Sequence, residues 1–111
     1  MKLLPLALLL AVVACGPNSE FDRTIDPSTS QGYGLYIHCG AEWLGRWNGT
    51  YWRAEPPDRS DFALDEWQAV ATQDTVWVSL ALSSDGQVIT ATANGRTITY
   101  APSAEESPKC I

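Results

Sequence analysis

From residue 33 onward the chain alternates apolar and polar positions with a period of two, and the alternation is cut by Asn-Gly and Asp-Gly pairs. That pairing of period and punctuation predicts antiparallel strands joined by tight turns, because both central positions of a two-residue hairpin favour positive φ. With Asn48-Gly49 at the turn, Trp47 faces Thr50, Gly45 faces Trp52 and Trp43 faces Ala54. Trp43, Trp47 and Trp52 then share one face, and Glu42, Leu44, Arg46, Tyr51 and Arg53 share the other. The tryptophan face is expected to be the core face, since the opposite face is largely charged. Asp85-Gly86 places Leu82 opposite Ile89 and Leu80 opposite Ala91, and Asn94-Gly95 places the same Ile89 and Ala91 opposite Tyr100 and Ile98. Two separate turns thus choose the same inward residues. The expected meander of residues 76–82, 87–93 and 96–101 buries Val76, Val78, Leu80, Leu82, Ile89, Ala91, Ile98 and Tyr100. Its outward face carries Trp77, Ser79, Val88, Thr90, Thr92, Thr97 and Thr99. An opening strand over residues 33–39 turns Leu35, Ile37 and Cys39 inward.

Residues 55–74 break the pattern. Pro56-Pro57 enforces extended backbone, while Phe62, Ala63, Trp67, Val70 and Ala71 share one turn-spaced face, so the segment is expected to be a long loop with a short helix and with Trp67 folded back as a lid. The fold class that follows is all-β: a small antiparallel sandwich or partly open barrel of five to six strands joined by tight hairpins, with one stabilising disulfide.

The first fifteen residues follow a different rule. A lone Lys2, an apolar run from Leu3 to Val13 and the tetrapeptide Val12-Val13-Ala14-Cys15 succeed one another. The run is too short to span about 30 Å of hydrocarbon and suits the apolar region of an export signal. It resembles the bacterial lipobox, which implies a signal peptide over residues 1–14 and a diacylglycerol thioether on Cys15; the plainer alternative is a signal peptide cleaved after Ala14 that leaves a free thiol. Residues 15–32, mostly small and polar, read as a flexible tether, and residues 33–111 as a single β domain. Exported chains meet an oxidising compartment, so if lipid consumes Cys15 the remaining pair, Cys39 and Cys110, is expected to form the disulfide. Closing a loop of about 70 residues would stabilise a small domain by roughly 4 kcal/mol.

Composition narrows the function. The net charge is -6, and loss of Lys2 with the leader makes it one unit more negative. An acidic domain lacks the positive footprint that nucleic acid and anionic headgroups require, so no nucleic-acid partner is expected and attachment to a membrane falls to the lipid. No catalytic arrangement is expected. The single histidine, His38, points outward beside Tyr36, and a lone histidine cannot build a zinc site, so neither metal nor cofactor is anticipated. The acidic run Glu55, Asp58, Asp61, Asp65 and Glu66 lacks the alternating spacing of a calcium loop and reads as a solvated surface. The glycosylation pattern Asn48-Gly49-Thr50 is claimed by the hairpin. Tryptophan is enriched, but the register assigns most of it to the core, leaving Trp77 with Thr90, Thr92, Thr97 and Thr99 as the candidate binding surface.

Tyr36-Ile37-His38-Cys39-Gly40, followed by Gly49-Thr50-Tyr51-Trp52-Arg53-Ala54, Pro56-Pro57, Trp67 and the Gly-turned hairpins, resembles small secreted actinobacterial proteins without an assigned activity. The resemblance covers residues 36–102 and implies an envelope location and nothing chemical. The expectation is a non-enzymatic envelope lipoprotein, exported and lipid-anchored to the bacterial cell membrane or outer membrane, that binds a protein, peptide or glycan. A structural accessory subunit of an envelope complex and a small hydrolase are the alternatives.

Overall fold

The computed structural model describes residues 21–109, apart from the Arg59 side chain. Within that span lie strands β1 (Ser30–Tyr36), β2 (Trp43–Trp47), β3 (Thr50–Ala54), β4 (Thr75–Leu82), β5 (Ile89–Ala93) and β6 (Arg96–Ser103). A 3-10 turn (Pro57–Arg59) and one helix, α1 (Ser60–Val70), separate β3 from β4. The six strands form one antiparallel sheet in the order β1-β4-β5-β6-β3-β2. The sheet curls into a nearly closed barrel, so the all-β, partly open architecture is as the alternation predicts.

The meander has the expected register, with Leu80 opposite Ala91, Leu82 opposite Ile89, Ala91 opposite Ile98 and Ile89 opposite Tyr100. Its inward residues are fully buried except Leu82, which is nearly so. The β5–β6 turn has positive φ at both Asn94 and Gly95, as a two-residue hairpin requires. The β4–β5 connection keeps its register by other means. Only Gly86 of the Asp85-Gly86 pair has positive φ. Gly86 N–H donates to Ser83 O at 2.9 Å, and Ser83 N–H to Val88 O at 2.8 Å, so a longer loop replaces the expected tight turn and β5 begins at Ile89.

Around Asn48-Gly49 the sequence expectation holds near the turn and fails beyond it. Trp47 pairs with Thr50 and Gly45 with Trp52, but Trp43 pairs with Arg53, so Leu44 is an extra residue in β2. Gly45 takes φ +100, which a side chain would resist. A bulge of one residue reverses the faces on its far side. Leu44, expected outside, is buried, and Trp43, expected in the core, is half-buried under the Arg53 guanidinium at 5.2 Å. Tyr51, also expected outside, is buried with the Arg46 guanidinium 5.3 Å from its ring centroid. Trp47 and Trp52 do enter the core, where their indole N–H groups donate to Leu44 O and Trp47 O.

Residues 55–74 are more ordered than the prolines suggest. A cis Glu55–Pro56 peptide leads to the 3-10 turn and α1. Ala63 and Trp67 are fully buried, and the Trp67 indole N–H reaches Ala93 O at 3.0 Å and Arg96 O at 3.3 Å, so this tryptophan is the anchor of the helix and not a lid. Phe62 and Val70, expected on the same face, are exposed, Phe62 with the Arg96 guanidinium 4.7 Å from its ring centroid.

The described part of the expected tether belongs to the domain. Arg23 forms a parallel bridge to Trp47, the Asn48 side chain exchanges hydrogen bonds with the Ile25 backbone, and Ile25 is buried in the core. β1 already begins at Ser30 and ends at Tyr36. Leu35 and Ile37 point inward as expected, but Cys39 is exposed. Gly40 N–H donates to Ile37 O at 2.9 Å and turns the chain out of the ladder before residue 39 can follow the alternation. The described residues contain Cys39 and no second cysteine, so they hold no complete disulfide; Cys15, Cys110 and the expected signal peptide of residues 1–14 lie outside them.

Candidate functional site

β1 and β2 are the two sheet edges, and the seam between them is where both ends of the described chain converge. At one end of the seam the Tyr33 ring meets the Trp47 ring edge-on at 5.0 Å, with the Arg23 guanidinium 5.0 Å from Tyr33 and 5.8 Å from Trp47. Burial pushes the Tyr33 phenol up from its ordinary value, and Arg23 opposes the shift. Beside Tyr33 the seam opens into a cleft of about 250 Å³, lined also by Leu35, Tyr36, Cys39, Trp43 and Leu44 and by Ser107, Pro108 and Lys109 of the returning C-terminal segment. Arg53 holds that segment near the cleft, since its guanidinium pairs with Glu42 and reaches Glu105 at 3.5 Å. This volume falls below the range of about 300–1,000 Å³ usual for small-molecule sites. The cleft has no counterpart in the sequence pattern, because its walls meet only when the sheet curls.

The expected surface is on the outside of β1, β4, β5 and β6. Trp77 is 72% exposed, the most exposed of the large apolar side chains described. Register places it directly opposite Gly34, and a Cβ built on Gly32 would meet its Cζ2 at 2.5 Å and its Nε1 at 2.8 Å. The indole therefore covers the glycine backbone of β1, as an aromatic does when it fills the space of missing side chains. The residues Gly32, Ser79, Thr92 and Thr97 form one cross-strand row, and Ser30, Ala81, Thr90 and Thr99 form the next. Thr92 and Thr97 are exposed with their hydroxyls 2.8 Å apart, and Thr90 and Thr99 are half-buried. The structure thus brings the expected residues Trp77, Thr90, Thr92, Thr97 and Thr99 onto one face. It adds the glycines under Trp77: Gly34, which the alternation from residue 33 leaves outward, and Gly32, which the sequence reading assigned to the tether and β1 brings into the sheet.

Other candidate chemistry is sparse. His38 is exposed, stacks on Tyr36 at 5.8 Å and lies 3.1 Å from Asp74 Oδ2, an exposed contact worth at most about 1 kcal/mol. The Ser83 hydroxyl and the Gln87 N–H hold the Asp85 carboxyl below its usual range, which serves the β4–β5 loop. Among the described residues no group of three His, Cys, Asp or Glu side chains is placed to hold a metal ion, and no helix is long and apolar enough to cross a membrane. The chain matches no protein family, and no curated protein or solved structure proved similar to it.

Proposed function

We propose that this chain is a non-enzymatic recognition module of the bacterial envelope, lipid-anchored through Cys15 and presenting the Trp77 face to a partner. The observation that carries the reading is the exposure of Trp77 on a face whose other positions, apart from the exposed Tyr36 at the end of β1, are glycine, serine, threonine and alanine. A solvated sheet face is ordinarily polar, as the serines and threonines here are, and a large exposed aromatic among them holds apolar surface in water that contact with a partner would bury. The Val-Val-Ala-Cys leader supports export and anchoring. Residue 22 is already fixed, since Asp22 accepts the Gly49 N–H at 3.0 Å and lies 3.6 Å from the Arg46 guanidinium. Fully extended chain from Cys15 to Asp22 reaches about 25 Å, so the lipid would hold the domain against the membrane surface and not far above it. The exposure of Cys39 in the cleft lined also by Lys109 supports pairing of Cys39 with Cys110.

The test uses intact cells. Metabolic labelling with an alkyne fatty acid should tag the parent chain and not Cys15→Ser; equal tagging refutes the anchor. A photo-crosslinking residue at Ser79 should give a specific adduct that the same residue at Asp58 does not give. Absence of any Ser79-specific adduct refutes the recognition face.

A further inference from the structure

Resting on that reading of the Trp77 face, we infer that its ligand is an uncharged polysaccharide chain that stacks a pyranose ring on Trp77. The indole is held against the backbone of Gly32 and Gly34, and with 72% of the residue exposed the rest of the ring system is left to solvent as a fixed apolar platform. A platform of this kind suits a flat ligand with polarised C–H groups on its face, which meet the negative face of the indole as aromatic edges do. A pyranose ring has that surface. A side-chain substitution at Gly32 would displace the platform, so the glycines are part of the site.

Charge selects among flat ligands. Read by register, the outward positions of β1, β4, β5 and β6 carry no acidic or basic side chain, in a chain of net charge -6. Such a face offers no counter-charge to a phosphate, a uronate or a basic peptide, and the acidic remainder of the domain repels polyanions. Hydroxyls replace charge as the polar contacts. Ser79, Thr92 and Thr97 lie on successive strands, and neighbouring strands are spaced by about 4.8 Å, close to the length of one sugar unit. The hydrogen bond between Thr92 and Thr97 consumes one of their two O–H donors, so the other and both sets of remaining lone pairs face the ligand. A chain crossing the strands would stack one unit on Trp77 and meet hydroxyls along the row.

The test measures retention of the full chain, purified in detergent micelles, on insoluble chitin and on insoluble β-1,4-glucan, with polygalacturonate as the charged comparator. The parent is expected to be retained on at least one neutral polymer and not on the charged one. Trp77→Ala should lose at least tenfold in retention while remaining folded at the assay temperature, Trp77→Tyr should keep part of it, and Trp43→Phe, in the cleft, should keep all of it. Retention of the parent on neither neutral polymer, or equal retention of Trp77→Ala, overturns the inference. So does a dimer that Trp77→Ala converts to monomer, since a second copy would then cover the face. A Ser79-specific adduct in cells combined with no retention on glycan would sink the ligand class and leave the recognition face standing.

Discussion

The bulge at Leu44 gives the sharpest quantitative test of the fold. Uninterrupted alternation puts Trp43 in the core and Leu44 outside; the observed register puts Leu44 inside at 1% exposure and leaves Trp43 half-buried. Truncating a fully buried leucine to alanine costs about 2–5 kcal/mol, the transfer and cavity contributions together. Trp43→Ala removes a partly solvated ring and its stacking with Arg53, and such an exposed cation–π contact contributes about 0.5–1 kcal/mol. With the partial burial lost as well, about 1–2 kcal/mol is expected. For a domain of this size each kcal/mol moves the melting temperature by about 4–8 °C, so Leu44→Ala should lower it by about 8–40 °C and Trp43→Ala by about 4–16 °C, the smaller shift of the two. Gly45→Ala separates backbone from packing. No atom lies within 4 Å of the added Cβ, so its cost is the strain of φ +100 alone, about 1–2 kcal/mol. Thermal unfolding followed by far-UV circular dichroism, with urea titration to compare slopes, measures all three. A larger loss for Trp43→Ala than for Leu44→Ala would refute the bulged register.

Tyr100 is fully buried and its hydroxyl donates to Ala41 O at 2.6 Å; Tyr100→Phe should cost about 1–3 kcal/mol by leaving that carbonyl unpaired. Burial pushes the Tyr100 phenol far above its ordinary value of 10.0. The unfolded chain therefore loses this proton first, and stability should fall as pH rises above about 10, a slope that Tyr100→Phe should flatten in alkaline urea titrations. Cys39 and Cys110 should be bridged, giving a non-reduced mass two hydrogens below the reduced form. Cys39→Ser and Cys110→Ser should destabilise equally, by roughly 4 kcal/mol; two alkylatable thiols in the native chain would contradict the pairing. Ile98→Asp should unfold the domain by burying an unpaired charge, while Thr92→Asp should shift stability by about 0.5 kcal/mol or less; similar melting temperatures would show the two faces reversed.

The register and inward face of the meander were legible in the sequence because their constraints are local and redundant, although the Asp85-Gly86 connection is a longer loop than the tight turn its dipeptide predicts. Two turns of independent chemistry agree on the inward residues Ile89 and Ala91, and a period of two leaves each neighbour one possible face. Trp77 and the threonines of the candidate site inherit that certainty, as does their shared face. The hairpin of β2 and β3 was legible only as far as Gly45. A bulge inserts one residue without changing the local alternation, and whether Leu44 or Trp43 fills the core depends on what lies across the barrel. Helix α1 was half-legible, since its turn-spaced apolar face competes with Pro56-Pro57, and Trp67 found its partners in carbonyls at Ala93 and Arg96, distant in sequence. Residues 22–25 read as tether because a single isoleucine among polar residues cannot make a core by itself; pairing with the open edge of β2 buries it. The cleft belongs wholly to tertiary structure. Its walls are the two strands that end the sheet, and closure of the sheet brings together residues that no pattern along the chain connects.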